Sequence, residues 1–340
     1  MKAIVIREPG GSETLSYEEV PDPEPAPGEV LVRVRAAGVN HLDLFMSRGL
    51  PGIELPIVPG GDVAGEVVAV GPGVSAPHTG ERVIISPVLT CGQCRWCLVG
   101  EDNFCPQWRQ LGRGVNGGYA ELCVVPAVNA LPLPQALDFV GAGSLPIVLT
   151  TVWHMLVKLA RLQLSETILV WGAGSGVGSM AIQVSKLLGA RVLAAAGSDE
   201  KLKRAIALGA DAGLNHSTQD IPREARRLTE GQGVDVVFEH VGEATWERSL
   251  RALRRGGRLV TCGATTGNRG KVNLDALFWN NTHILGNRVG SKGDLLEALR
   301  FFTSGQLRPV VDSTYPLVKA AQAHQRLEAR EQFGKVVLLP

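Results

Sequence analysis

Four cysteines within fifteen residues, Cys91, Cys94, Cys97 and Cys105 in the run CGQCRWCLVGEDNFC, form the densest set of metal-binding groups in the chain. The spacing C-x2-C-x2-C-x7-C lets one tight loop fold four thiolates around a single ion, and four sulfur donors favour tetrahedral zinc. A pair of disulfides is the first alternative, but a Gly-rich chain whose start carries no secretion signal points to a reducing compartment. An iron–sulfur cluster is the second, since Cys105-Pro106 ends the run as a bacterial ferredoxin motif does. Its final gap is too long for that motif, and no second cluster motif follows. Four thiolates leave no open coordination position, so the expected zinc is structural, one per chain, and catalysis must lie elsewhere.

A second chemical motif is Trp171-Gly-Ala-Gly-Ser-Gly-Val-Gly178, with Ser175, Gly176 and Val177 at the point where a strand pattern turns into a helix pattern. There a Gly-rich turn cradles a pyrophosphate on helix N-terminal N–H groups. The turn is one residue longer than the GxGxxG fingerprint, so the surrounding β-α-β alternation carries the dinucleotide reading. NAD-binding chains carry an acid about 20 residues further on that holds the ribose. Here the next strand ends in Ala194-Ala-Ala-Gly-Ser198, with Lys201 and Arg204 following, a set suited to a 2′-phosphate. NADP(H) is therefore expected in preference to NAD(H). Ser198 could instead only cap the next helix, and Asp199 and Glu200 could still reach a ribose.

The elements that must position these motifs follow two grammars. Up to about Val125 the chain shows short β-branched runs broken by Gly and Pro, such as Val30–Val34, Gly65–Val70 and Arg82–Ile85, which read as a compact antiparallel barrel. After Pro134 strands alternate with amphipathic helices: strands at 167–171, 191–196, 234–238 and 257–262, helices at 177–188, 200–208 and 245–253. Such alternation demands a parallel sheet covered on both faces. The last forty residues return to short strands, notably Lys335–Leu339, and are expected to rejoin the first domain. The expected division is 1–134 with 304–340, including a zinc lobe at about 88–108, and 135–303.

A length of 340 residues suits two domains, and a net charge of +1 with a pI near 7.7 gives no basic excess for nucleic acid. A small-molecule substrate is the default. Met1–Ile6 runs straight into a strand pattern without an apolar leader and cleavage site, so a cytoplasmic protein is expected. The nearly uncharged stretch 139–157 contains Pro146, His154 and several Thr and Gly residues, which argues for a buried connection and helix and against a membrane span.

Along essentially its whole length the chain resembles the medium-chain dehydrogenase/reductase superfamily. The resemblance is carried by Ala37-Gly-Val-Asn40-His-Leu-Asp43, Pro59-Gly60 with Ala64-Gly65, the cysteine lobe, Gly117-Gly-Tyr-Ala-Glu121, Leu149-Thr-Thr-Val-Trp153, the glycine turn and Gly334-Lys335-Val-Val. It implies an α/β fold with a GroES-like β-barrel catalytic domain and a Rossmann domain built on a doubly wound parallel sheet. It also implies hydride transfer and a homodimer or homotetramer, through the strand His283–Arg288 that in relatives pairs across subunits. In the zinc alcohol dehydrogenases of the superfamily a catalytic zinc is held where this chain has Asn40, Gly61 and Ile147, and a proton-relaying hydroxyl corresponds to Leu42. Asp43 and Asp62 match carboxylates that support those missing ligands. A Lewis acid is then not held where an alkoxide forms. His41, Asp43, Asp62 and Glu66 offer a mixed substitute set.

The segment from Asn40 to Pro51 looks more like the zinc-free quinone oxidoreductases, whose pocket uses an Asn matching Asn40 and two Tyr that here are Phe45 and Pro51. The resemblance implies Asn40 as the catalytic residue, donating a hydrogen bond to the oxygen of a quinone or enone; a loop residue satisfying backbone groups is the alternative. By the same resemblance His41 and Lys335 lie near the pyrophosphate, His216 near the adenosine phosphate, and Thr151 and Val241 near the nicotinamide. Cys262, Gly263 and Ala264 line the carboxyl end of a sheet strand, where ligands of open sheets collect. Cys123 and Cys262 carry no expected redox role. The expected activity is NADPH-dependent reduction of quinones or α,β-unsaturated carbonyls without a catalytic metal. The alternatives are an alcohol dehydrogenase with an altered zinc site, and a cofactor-binding redox sensor or interaction protein.

Overall fold

Alternation along Glu29–Gly38 buries Val30, Val32 and Val34 and turns Arg33 and Arg35 outward, which makes this ten-residue strand the spine of one sheet. In the computed structural model, which describes residues 1–340, that sheet runs in the order Val311–Pro316, Lys335–Leu339, Glu29–Gly38, Asp62–Val70, Arg82–Ile85, Ala130–Pro132. Leu122–Pro126 also pairs with Glu29–Gly38. Pairing is antiparallel except between Val311–Pro316 and Lys335–Leu339, which run parallel. The register sets Val337 opposite Gly38 and Gly38 opposite Asp62, and this brings the start of Lys335–Leu339 to the end of Glu29–Gly38.

The strands Thr167–Val170, Arg191–Ala196 and Val234–Glu239 are buried on both faces along nearly all their length, as central parallel strands must be. They lie in a six-stranded parallel sheet ordered Ala212–Asn215, Arg191–Ala196, Thr167–Val170, Val234–Glu239, Leu253–Thr261, His283–Gly286. Numbered within this sheet the order is 3-2-1-4-5-6, the doubly wound arrangement whose switch point falls between Thr167–Val170 and Val234–Glu239. Helices Gly176–Leu187, Asp199–Ala207 and Glu243–Ala252 follow their strands within two residues of the boundaries read from sequence. His283–Gly286 is an edge strand, and Leu274, Phe278 and Trp279 on the preceding helix are exposed.

Two boundaries differ from expectation. The compact units are Met1–Val148 with Ser291–Pro340, and Leu149–Gly290, so 135–148 and 291–303 belong with the barrel and not with the parallel sheet. Phe139–Gly143 packs on Glu29–Gly38, the Ile147 N–H donates to Asp62 Oδ1 at 2.6 Å, and the Lys292 N–H donates to Asp102 at 3.1 Å. The C-terminal stretch is also not all strand, because Ala320–Glu328 is a helix that buries Ala320, Ala323, His324 and Leu327 at helical spacing. No helix is long and apolar enough to cross a membrane.

Candidate functional site

The cysteine lobe is closed at its base by the short antiparallel pair Val88–Leu89 and Arg109–Gln110, and inside it a one-turn helix, Arg95–Leu98, carries Cys97. The four Sγ atoms lie within 4.8 Å of one another. Individual separations are 3.5 Å for Cys94–Cys97, 3.6 Å for Cys91–Cys105 and 3.9 Å for Cys91–Cys97. A tetrahedron of sulfurs about 2.3 Å from one zinc has edges of about 3.8 Å, so the residues fit the ion. All six cysteines are free, and these separations are far from a disulfide bond. Backbone N–H groups of Gln93 and Cys94 pull the Cys91 thiol down to about 6, which favours the thiolate a metal needs.

At the end of Thr167–Val170 the chain turns through Gly172, whose φ of +54° is in the left-handed region, into the helix Gly176–Leu187. Ser175 caps that helix, its Oγ accepting from the Gly178 N–H at 2.8 Å. A Cβ on Gly178 would sit 2.2 Å from the Gly172 carbonyl oxygen, so only glycine lets the helix approach the strand this closely. The N–H groups of Gly176 and Val177 have no intrahelical acceptor, which leaves an anion cradle at the sheet's switch point. Ser175, Gly176 and Val177 therefore sit as the sequence placed them.

His240, which the sequence reading passed over, completes this turn. It directly follows Val234–Glu239, the neighbouring strand across the switch point, and its Nε2–H donates to the Trp171 carbonyl at 2.9 Å, with the Ser175 hydroxyl 3.4 Å away. Burial pushes the imidazole down to about 4, so the ring is neutral at pH 7. Glu239 beside it is buried and ties the same loop down, accepting from the N–H groups of Val241 and Gly242 and from the Thr245 hydroxyl. Its carboxyl is raised by that burial. The signal available was two adjacent titratable residues closing a buried strand, Phe238-Glu-His.

The other expected cofactor residues of this unit gather at the same strand ends. The Val241 carbonyl accepts from Thr266, and a Cβ on Gly263 would meet the His240 carbonyl oxygen at 2.7 Å. Cys262 and Ala264 flank Gly263, and burial pushes the Cys262 thiol up to about 12, as it does Cys123, which agrees with inert thiols. Thr151 is buried, its carbonyl 3.5 Å from the Asn287 amide. Ser198 caps its helix by accepting from the Lys201 N–H at 3.4 Å, and His216 lies 3.1 Å from where a Gly197 Cβ would be. Asp199 accepts from Asn215 at 2.8 Å, and no carboxylate closes the Arg191–Ala196 strand itself.

In the barrel unit the vacancy left by the missing ligands is filled. A Cβ on Gly61 would meet Ile147 Cδ1 at 2.9 Å, so an apolar methyl occupies the space between two of the three positions. Beside them Lys335 Nζ donates to Asp62 Oδ2 at 2.8 Å, to Asn40 Oδ1 at 2.7 Å and to the Val39 carbonyl at 2.8 Å. The Lys335 side chain is only 7% exposed, and its three hydrogens are all committed to these acceptors inside the barrel unit. An amide, a methyl and an ammonium are no donor set for a catalytic zinc. The substitute set is no better, because Asp62 is paired with Lys335, Glu66 with Arg35, and Asp43 accepts from Tyr119 and the Asn40 N–H. His41 opens the helix His41–Ser47, its ring 6.5 Å from Phe45.

Asp43 belongs to a second buried chain. The Tyr119 hydroxyl donates to Asp43 Oδ2 at 3.0 Å and lies 3.4 Å from His324 Nε2. Since that hydroxyl has one hydrogen, the His324 Nε2–H must be the donor to Tyr119, and its Nδ1 is left buried without a partner. Burial, with Arg48 nearby, pushes His324 down to about 4, and burial raises Asp43 to about 6. The two act in opposite directions on stability. Below pH 6.5 the unfolded chain takes up a proton that native His324 refuses, so its share of stability falls with pH; Asp43 protonates first in the native state, so its share rises as pH falls below 6. The stability difference between His324→Leu and the parent should therefore shift in the variant's favour by about 2 kcal/mol from pH 7 to pH 5. Urea unfolding at both pH values checks this, and a pH-independent difference would refute the neutral buried imidazole.

Comparison with known proteins agrees with this architecture. Residues 26–135 match the family described as alcohol dehydrogenase GroES-like domain, and residues 176–304 the family described as zinc-binding dehydrogenase. An NAD-dependent alcohol dehydrogenase of Sulfurisphaera tokodaii is 33% identical, with 100% of both chains covered. An acryloyl-coenzyme A reductase of Metallosphaera sedula is 32% identical, with 99% of each covered. A solved structure described as an NAD-dependent alcohol dehydrogenase superposes with a TM-score of 0.97 at 45% identity, covering 100% of both chains. With both halves of the fold, the cysteine lobe and full-length relatives in agreement, the chain belongs to the medium-chain dehydrogenase/reductase superfamily of oxidoreductases.

Proposed function

We propose that this protein is an NADPH-dependent reductase of conjugated carbonyls, α,β-unsaturated ketones, thioesters or quinones, working without a catalytic metal. The observation that carries the reading is the barrel vacancy: Ile147 Cδ1 fills the space at Gly61, and Lys335 is bonded to Asn40 and Asp62. Without a held Lewis acid an alcohol's proton is not acidified, whereas a conjugated acceptor needs only hydride at its β-carbon and a hydrogen bond at its oxygen. The acryloyl-coenzyme A reductase relative is named for a substrate of that class. Reduced nicotinamide, when bound, supplies the hydride.

The chain's own residues supply the rest. Gly172, Ser175, Gly176, Val177 and Gly178 cradle the pyrophosphate, with His240 fixing the turn. Ser198 and Lys201, with no acid at the end of Arg191–Ala196, favour a 2′-phosphate over a free ribose hydroxyl. Asn40 offers an amide hydrogen to the carbonyl oxygen where charge develops, and the α-carbon takes its proton from solvent. The cysteine lobe holds one zinc and takes no part in the chemistry.

The alcohol dehydrogenase reading has the 45% identical structure in its favour. Metal content and a substrate panel separate the two. One zinc per chain, NADPH oxidation with enones or quinones, and no NAD(P)+ reduction with alcohols are expected, with NADPH binding roughly tenfold tighter than NADH, about 1.4 kcal/mol. Two zincs per chain with alcohol turnover would overturn the proposal. Cofactor binding without turnover across the panel would favour a sensor.

A further inference from the structure

We propose that Lys335 is a positioning residue that orients and polarises Asn40, so that the barrel uses a buried ammonium, acting through an amide, at the place where metal-dependent relatives keep a cation. The proposal rests on the reading of Asn40 as the donor to the substrate oxygen.

The bonding pattern admits one orientation of the amide. Lys335 Nζ, 2.7 Å from Asn40 Oδ1, is a donor only, and Asp62 Oδ2, 2.9 Å from Asn40 Nδ2, is an acceptor while ionised. Flipping the amide would set its NH2 against an ammonium and its oxygen against a carboxylate. One Nδ2 hydrogen is held by Asp62; the other reaches only the Gly38 carbonyl at 3.4 Å, the long limit of a hydrogen bond. That weakly held hydrogen is the one an incoming carbonyl oxygen can capture. A positive charge on the amide oxygen draws electron density away from nitrogen and makes this hydrogen a stronger donor.

The surroundings are built for this arrangement. Asp62 is fully buried and its other oxygen accepts from the Ile147 N–H at 2.6 Å, so the carboxylate cannot swing away. A Cβ on Gly38 would meet the Gly143 carbonyl oxygen at 2.5 Å and crowd Asp62 Oδ2 at 3.0 Å, which explains glycine at that position. At the start of the helix that Asn40 opens, the Asp43 carboxylate accepts from the Asn40 N–H at 2.8 Å, which fixes the backbone that carries the amide.

The test is a double-mutant cycle in the full-length zinc-loaded protein, following NADPH oxidation with an α,β-unsaturated ketone. Asn40→Ala should lower kcat by about 10²-fold with little change in KM, the scale of one lost oxyanion donor. Lys335→Met should lower kcat by roughly tenfold through weaker amide polarisation, with NADPH affinity unchanged, and should add no further loss on top of Asn40→Ala. Because Lys335→Met leaves Asp62 unpaired, Lys335→Met/Asp62→Asn, which removes both charges, is run alongside and should repeat the pattern. If Asn40→Ala leaves kcat intact, the Asn40 reading fails and the proposal with it. If Asn40→Ala slows turnover but the Lys335 loss multiplies with it, or if Lys335→Met weakens NADPH binding while kcat holds, Asn40 stands and the role given to Lys335 is overturned.

Discussion

Stripping the zinc, or replacing one of its ligands as in Cys105→Ser, should unfold the lobe 88–108 while the parallel-sheet unit keeps its cofactor affinity. The lobe has little to hold it together besides the ion. Leu98 and Val99 are 74% and 68% exposed and Phe104 is half out, so few apolar side chains of its own are buried. Its regular elements are a one-turn helix, a three-residue 3-10 turn and a two-residue strand pair. Structural zinc in small domains contributes on the order of 10–16 kcal/mol of binding free energy at neutral pH, far more than such elements supply. Cys105 is the strongest choice of ligand because it is buried and anchors the loop end, with the Cys91 N–H 3.5 Å from its sulfur. Metal analysis should fall from one zinc per chain to near zero, and limited proteolysis should cut within 88–108. A lobe that stays protease-resistant after chelation would show that packing, and not the ion, orders it.

Gly178→Ala should abolish measurable NADPH binding, with at least a hundredfold loss, about 2.7 kcal/mol or more. The added methyl would meet Gly172 O at 2.2 Å, Gly172 C at 2.9 Å and Ala173 Cα at 3.0 Å, all backbone atoms with no rotamer to escape into. Relief requires the helix Gly176–Leu187 to slide away from Thr167–Val170, which also pulls its N–H groups off the phosphate position. Gly286→Ala is the control, since a methyl there meets nothing within 4 Å. Fluorescence titration reads the affinity. Retained binding in the Gly178 variant would mean that the pyrophosphate does not sit on this turn.

Both features were legible in the sequence because each is local. The four thiols lie on one loop, and the glycine turn lies between one strand and one helix, so spacing alone determines what can meet what. The same holds for the strands Arg82–Ile85 and Arg191–Ala196, whose short apolar runs, buried nearly throughout, declared themselves within six residues. The helix Ala320–Glu328 was not seen, because its buried face is built from two alanines, a histidine and one leucine and gives a weak apolar signal. The domain boundaries differ for another reason: 135–148 is tied to the barrel unit by close packing of Phe139–Gly143 on Glu29–Gly38 and by the Ile147 N–H on Asp62, and 291–303 by the Lys292 N–H on Asp102, tertiary contacts that leave no trace in residue type.

The candidate site divides along the same line. By itself the sequence set four cysteines at the spacing of a zinc loop and a glycine turn between a strand and a helix, and the family resemblance added that positions 40, 61 and 147 carry no group able to hold a second zinc. Only the tertiary structure decided what stands there instead. Lys335 reaches Asn40 across 295 positions of chain, and Tyr119 links Asp43 to a histidine 205 positions away from the tyrosine. A buried ammonium finds its partners through sheet register and burial, here the pairing of Lys335–Leu339 with Glu29–Gly38, and these depend on the whole barrel closing.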